Sequence, residues 1–220
     1  MPVEYVAPTR DMRFVIEELV HFDSVSQLPG YEEFAPDLIE AILEEAGKFA
    51  NGVISPLNWP SDRQGAQLQG ETVKTSPGFK EAYAQFVESG WNSLSGNPDF
   101  GGQGLPEVLA TCVNEMWHAA SMSFALCPML TAGAIHAIEH HGSQPQKDKY
   151  LAKLISGEWT GTMNLTEPQA GSDLAAVAAK AWPLPADHPR RPADASDTNP
   201  AFCVHGTKIY ITHGEHDLAE

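Results

Sequence analysis

The 220-residue chain is 42% hydrophobic and 19% charged, the balance of a globular protein with apolar surface to bury rather than of a disordered one. Its 13 Lys and Arg against 29 Asp and Glu give a net charge of −16 with no basic run, which disfavours general binding to a phosphate backbone. Cys112, Cys127 and Cys203 are odd in number, far apart and without a C-x-x-C, which disfavours a disulfide framework or zinc cluster and points to a reducing compartment.

In chain order, Pro2 and Pro8 precede Thr9, a residue type suited to an N-cap, and Phe14, Val15, Leu19 and Val20 then recur at helical spacing. One short amphipathic helix is expected over residues 1–35. No apolar leader opens the chain and no apolar run approaches the ~18 residues of a membrane span, so no membrane partner is expected. The expected address is the cytoplasm, or a matrix-like compartment where the organism has one.

Pro36 and Asp37 begin a longer pattern that places Leu38, Ile39, Ile42, Leu43, Ala46, Phe49, Ala50, Val53 and Ile54 on one side and halts at Pro56. A stripe that wide belongs in a helical bundle. Residues 58–75 read as a polar loop with a short hairpin around Leu68-Gln69-Gly70. Ser76-Pro77 then reads as a cap and first-turn proline ahead of Phe79, Tyr83, Phe86 and Val87, with Gly90 as the stop. The glycines of Asn97–Pro106 do not fit G-x-G-x-x-G and follow no strand, so this is a loop between helices. Two core helices are expected at 106–122 and 124–141, and a third from Ser143 and Pro145 to Ile155, stopped by Gly157.

At Gly157 the period changes from 3.6 to 2, which marks a domain boundary. Glu158–Thr166 alternates and is rich in β-formers, so a strand is expected, ended by Pro168. In the following Gln169-Ala170-Gly171-Ser172-Asp173, small residues let a backbone pass close to a ligand. Thr166 and Ser172 flank this turn with hydroxyls, as an electron-rich ring edge or a pyrophosphate requires. Leu174–Trp182 has helical propensity and a strand-like alternation, and Pro183–Pro200 reads as an exposed connection. Gly206–Gly214 sets Ile209 and Ile211 against Tyr210 and Thr212, a half-buried strand with an aromatic and a hydroxyl on one face. On pattern alone, a plain strand, turn and strand is a better reading than a cofactor site, because that arrangement occurs in most β domains. His140-His141 and His213/His216 have no matching carboxylate or cysteine set and read as solvated histidines. Gly171-Ser172-Asp173 lacks the G-x-S-x-G elbow of a hydrolase nucleophile.

Leu165-Thr166-Glu167-Pro168-Gln169-Ala170-Gly171-Ser172-Asp173, followed by Lys208-Ile209-Tyr210-Ile211-Thr212, resembles the paired flavin signatures of the acyl-CoA dehydrogenase family. The opening Met1–Pro8 and Arg10–Phe14 resemble the N-terminal extension of a subgroup that includes 3-methylmercaptopropionyl-CoA dehydrogenases. The Asn97–Pro106 loop resembles the family loop before a long core helix.

The resemblance implies an α+β fold, an N-terminal all-α helical bundle followed by a partial antiparallel β-barrel-like domain. The implied divisions are an extension at 1–35, a helical domain at 36–157 and an incomplete β domain at 158–220, with 174–182 as a strand and the helices near 106–141 lining an acyl pocket. It implies FAD as cofactor, with Met163, Leu165 and Thr166 at the polar edge of the flavin ring. Gly171 and Ser172 would lie beside the pyrophosphate and the thioester end of the substrate, and Tyr210, Ile211 and Thr212 at the ring system. Tyr210 stands where many members carry Trp, and His213 where Asn is common.

The implied reaction removes the α-proton of an acyl-CoA thioester while a β-hydride passes to flavin, giving the trans-2-enoyl thioester, with an electron-transfer flavoprotein as acceptor. No glutamate here matches the family's base, which is expected on a helix beyond residue 220. No catalytic residue is therefore named, and the 220 residues alone are expected to be inactive. The resemblance also implies a homodimeric or homotetrameric parent protein. Three alternatives stay open: a nucleic-acid-linked flavoprotein of the same fold, a non-catalytic fragment and an acyl-CoA oxidase.

Overall fold

The computed structural model describes residues 4–32, 34–196 and 200–219, so Met1-Pro2-Val3 of the opening resemblance and part of the 183–200 connection lie outside it. The chain divides into two compact units. One runs to Thr162 and takes in the tail from His213, and the other is Met163–Thr212.

The first unit is helical. Helix α1 (Thr9–Phe14) runs on through a π turn at Val15–Leu19, and α2 (Phe22–Val25) follows. The inward face differs from the expected one: Met12, Ile16 and Phe22 are buried, while Phe14, Val15, Leu19 and Val20 face out. Both faces are apolar, so periodicity alone could not choose between them. The choice is made by packing against α3 (Pro36–Phe49), which offers Ile39, Leu43 and Ala46.

Helix α3 does not halt at Pro56. A π turn at Ala50–Ile54 leads directly into α4 (Ser55–Gln64), which carries Pro56 in its first turn and Pro60 inside it. A proline removes one amide donor and crowds the carbonyl four residues back, and the wider turn provides the slack that lets helical chain continue past it. The expected loop is correspondingly shorter. It contains the hairpin of β1 (Gln67–Gln69) and β2 (Thr72–Lys74), which turns through Gly70 at a φ of 66°.

Helix α5 (Phe79–Glu88) starts two residues beyond the expected proline, because Gly78 at a φ of 88° forms the entry and Ser76 gives no side-chain cap. Helices α6 (Glu107–Ala120), α7 (Met122–His141) and α8 (Gln144–Ser156) complete the bundle. Helix α8 begins with a Ser143/Gln146 capping box, and Gly157 closes it at a φ of 82°. Its end is held from outside: Tyr83 Oη donates to Gly157 O at 3.1 Å, and Asn92 Nδ2 donates to Leu154 O at 2.8 Å. The core is largely aromatic. Phe86 meets Trp117 at 5.8 Å and Phe124 at 5.9 Å between centroids, and Phe49 meets Trp117 edge-on at 5.6 Å.

The expectation that no stretch could span a membrane needs correction at α7, which is long and apolar enough to do so. Its Ser, Thr, Gly, Pro and His residues interrupt the apolar run, yet none of them carries a fixed charge. A core helix has the same character, and α7 buries Phe124, Ala125, Cys127, Thr131 and Ile135 within the bundle.

Among its described residues the second unit has one regular sheet element, the antiparallel pair of β3 (Lys180–Pro183) and β4 (Phe202–His205), registered Lys180 to His205 and Pro183 to Phe202. Two of the expected strands, Glu158–Thr166 and Gly206–Gly214, are not formed. The third, Leu174–Trp182, is divided between a 3₁₀ turn at Leu174–Ala176 and the start of β3. A strand exists through its ladder partners, and the backbone that would follow β4 is turned aside at Gly206, where an added Cβ would lie 2.8 Å from Ala179 Cβ. The 184–201 connection is drawn in by Arg191, whose Nη1 donates to Leu184 O at 2.6 Å.

Candidate functional site

Within the second unit the two motif segments lie side by side. Ile209 N donates to Thr166 O at 3.0 Å, and Lys208 Nζ donates to Leu165 O at 3.0 Å. The turn between Glu167 and Ala170 is closed by both backbone bonds, at 3.1 and 3.0 Å. Asp173 caps the next turn by accepting from Ala175 N at 3.1 Å.

At the centre is Glu167, a residue absent from the expected site. Only 3% of it is exposed. Its carboxylate accepts from Lys208 Nζ at 2.7 Å, Ala178 N at 2.8 Å, Ala179 N at 3.0 Å and Gln169 Nε2 at 2.6 Å. The lysine and then the Ala178 amide outweigh the cost of burial and hold this carboxyl down at about 2. An anion with its lone pairs so occupied is a poor proton acceptor, so Glu167 is no candidate base. The cue for it in the sequence was thin: one acid before a proline, and one lysine at the head of the second segment.

The expected binding residues are distributed unevenly. Leu165 and Thr166 are half-buried and paired to the second segment through their carbonyls, while Met163 is exposed. Gly171 and Ser172 are exposed, with open space where a Gly171 Cβ would stand, and neither makes a hydrogen bond among the described residues. Tyr210 departs from expectation: it is 88% exposed, at a φ of 55°, so it does not share a strand face with Thr212. Ile211 is half-buried and Thr212 exposed. A planar, many-acceptor group with a pyrophosphate fits this donor set, because the Gly171-Ser172 amides and hydroxyl are free and the approach is open.

In the helical unit the histidines of the tail act as anchors rather than solvated residues. His213 Nε2 donates to Ser123 O at 3.1 Å. His216 accepts Leu218 N at its Nδ1, which leaves Nε2–H to donate to Thr160 Oγ1 at 3.0 Å. Asp217 Oδ1 accepts both the amide and the hydroxyl of Thr75, at 2.9 and 2.7 Å. Beside this tail is a cavity of about 440 Å³ lined by Ser61, Thr75, Phe79, Met122, Leu126 and His213 among others.

Residues 37–158, which run from the first turn of α3 through α8, match the family model of the acyl-CoA dehydrogenase N-terminal domain. The chain belongs to the acyl-CoA dehydrogenase family. It is 46% identical over 216 residues to the 3-methylmercaptopropionyl-CoA dehydrogenase of Ruegeria pomeroyi, a match covering 98% of the chain and 34% of that relative. A butyryl-CoA dehydrogenase of Syntrophomonas wolfei is 34% identical over 219 residues, again covering 98% of the chain and 34% of the relative. The chain thus spans about a third of the length of these acyl-CoA dehydrogenases. Its fold is also that of two solved structures. The butyryl-CoA dehydrogenase of Megasphaera elsdenii aligns with a TM-score of 0.62 at 21% identity, over 81% of this chain and 41% of that one. The acyl-CoA dehydrogenase complexed with FAD from Bacillus anthracis aligns with a TM-score of 0.60 at 22% identity, over 82% and 27%.

Proposed function

We propose that this chain supplies the helical platform and the flavin-side turn of an FAD-dependent acyl-CoA dehydrogenase that converts an acyl-CoA thioester to its trans-2-enoyl form. The observation that carries the reading is the pairing of Thr166 O with Ile209 N, which joins the two motif segments beside an open turn at Gly171 and Ser172. In this reading residues 36–157 are the helical domain and 158–220 the start of the β domain. When bound, FAD supplies the acceptor for the β-hydride.

The chain's own residues bind and orient. Met163, Leu165 and Thr166 would meet the polar edge of the ring. Gly171 and Ser172 would donate to the pyrophosphate, with Ser172 also near the substrate thioester, and Tyr210, Ile211 and Thr212 would cover the ring system. Hydrogen bonds at the thioester carbonyl matter because enolate charge develops there as the α-proton leaves. An electron-transfer flavoprotein is the proposed acceptor, the cytoplasm the proposed compartment, and a homodimer or homotetramer the proposed assembly.

The test is spectroscopic. The purified full polypeptide should carry or take up FAD, and its flavin band should bleach when acyl-CoA is added without oxygen. A protein that stays colourless in excess FAD would overturn the reading.

A further inference from the structure

We infer that Glu167 is the positioning residue of this cofactor site, and that with Lys208 it forms a charged clamp setting the flavin-side turn against the segment that would cover the ring. The inference rests on the flavin reading above.

It starts from what holds the second unit together. Among its described residues only Glu167 and Ala170 are buried. All four residues of β3 are exposed, and so are three of the four in β4. With almost no apolar surface removed from water, the hydrophobic term cannot fix the relative position of segments so far apart in sequence. The carboxylate can. It reaches Lys208, 41 positions away, and Ala178 and Ala179, 11 and 12 positions away, while Gln169 extends the network to Ala176 O at 3.2 Å.

Lys208 completes the device. Its ammonium bridges Glu167 Oε1 and Leu165 O, so one cation touches both the side chain and the main chain of the first motif. The neighbouring residue, Ile209, makes a backbone bond between the segments, to Thr166 O. The Lys208 side chain is 26% exposed and that of Glu167 only 2%, so the pair is largely shielded from water. Removing one partner of such a pair leaves a buried, uncompensated group, whereas removing an exposed pair changes little. In Glu167→Gln the amide keeps the shape, but it loses the charge that holds Lys208 and directs an N–H toward donors.

Neither Glu167 nor Lys208 is itself a proposed ring contact, although Lys208 Nζ reaches the carbonyl of Leu165. It acts through the carbonyls of Leu165 and Thr166 and the course of residues 208–209, which lead into Tyr210, Ile211 and Thr212. Its loss should therefore alter how flavin is held while the helical unit, with its separate aromatic core, stays folded.

The experiment titrates FAD into the full polypeptide as wild type, Glu167→Gln, Lys208→Met and Lys208→Arg. Each is followed by flavin fluorescence, the shape of the bound-flavin absorption band and helical ellipticity on heating. Hydrogen exchange at Ile209, Ala178 and Ala179 reads the clamp without cofactor. Glu167→Gln and Lys208→Met should each weaken FAD binding at least tenfold, shift the bound-flavin band and speed exchange at those amides, with helical melting unchanged. Lys208→Arg, which can bridge the same two oxygens, should restore wild-type affinity and spectrum.

Tight wild-type binding that Glu167→Gln leaves within twofold, or with an unaltered band, overturns the positioning role and leaves the flavin reading intact. A wild type that binds no FAD overturns the flavin reading and this role with it. In that case the exchange data would still decide whether the clamp orders the unit. Helical melting that falls together with FAD affinity would make Glu167 a general stability residue and also refute the inference.

Discussion

Gly161 lies beyond the end of α8, where the chain passes close to α7 ahead of the first motif segment, and Gly161→Ala tests how tightly that passage is made. A Cβ at this position would lie 2.5 Å from Ala134 Cβ, against the 3.5–4.0 Å of an ordinary carbon contact, so one of the two must retreat by about 1 Å. Gly161 does not occupy the left-handed region, so alanine suits its backbone and the effect is one of space. Overpacking of this kind costs about 1–3 kcal/mol.

The retreat also pulls Gly161 N away from Thr131 Oγ1, a bond already at 3.2 Å from a hydroxyl that is fully buried and donates onward to Cys127 O at 3.0 Å. Loss of that bond adds about 0.5–1.5 kcal/mol. The expected destabilisation is thus about 2–4 kcal/mol, a fall in Tm of roughly 4–16 °C for a chain of this size, read by far-UV circular dichroism. Ala134→Gly removes the obstructing methyl at a helix-propensity cost of about 1 kcal/mol, so the double variant should recover at least half of the loss. A Gly161→Ala protein melting within about 1 °C of wild type would refute this account, and so would a loss that Ala134→Gly does not relieve.

Phe86, 1% exposed and in ring contact with Phe49, Tyr83, Trp117 and Phe124, should be the costliest core truncation: Phe86→Ala is expected to lose about 3–5 kcal/mol in denaturant unfolding, and Phe86→Leu much less. The tail should make stability depend on pH. Burial, and then the neighbouring His213, lowers the pKa of His216, so folding favours its neutral form. The stabilisation is complete above the ordinary histidine value near 6.5 and is lost as pH falls through the lower folded value, where Nδ1 can no longer accept from Leu218 N. Burial likewise lowers His213, so Tm should fall between pH 7 and 5 in wild type and hold level in His213→Gln/His216→Gln. A wild-type Tm unchanged over that range would refute the tautomer assigned to His216.

The parts of the fold legible in the sequence are those decided by neighbours along the chain. Apolar stripes and local punctuation located α6, α7 and α8 because Ser143 and Gln146 cap one another three residues apart and Gly157 supplies its own left-handed turn. Legibility failed wherever a distant partner decided the outcome. The N-terminal helix had two apolar faces, and α3 chose between them. Pro56 was a sound stop signal by local rules, overridden by the π turn before it. Glu158–Thr166 and Gly206–Gly214 had the alternation of strands, but alternation expresses a preference and a ladder requires a partner. The two segments meet through the backbone bond from Ile209 to Thr166, without forming a ladder of strands.

The candidate site divides along the same line. Its two segments were legible as a pair through their resemblance to a family signature, and their main chains do meet. What holds them was not legible, because a glutamate is ordinarily a solvated residue and nothing near Glu167 in sequence announces three donors supplied by Lys208, Ala178 and Ala179. Yet the exposed β3 and β4 give the reason that such a group is needed. A unit whose strands bury almost nothing cannot fix its loops by packing. It can be ordered by one buried charge with every lone pair committed, and that arrangement sets the backbone while leaving the faces of the turn free for a ligand. A packed core beneath the same turn would need bulky side chains around Gly171 and Ser172, where the turn is now open.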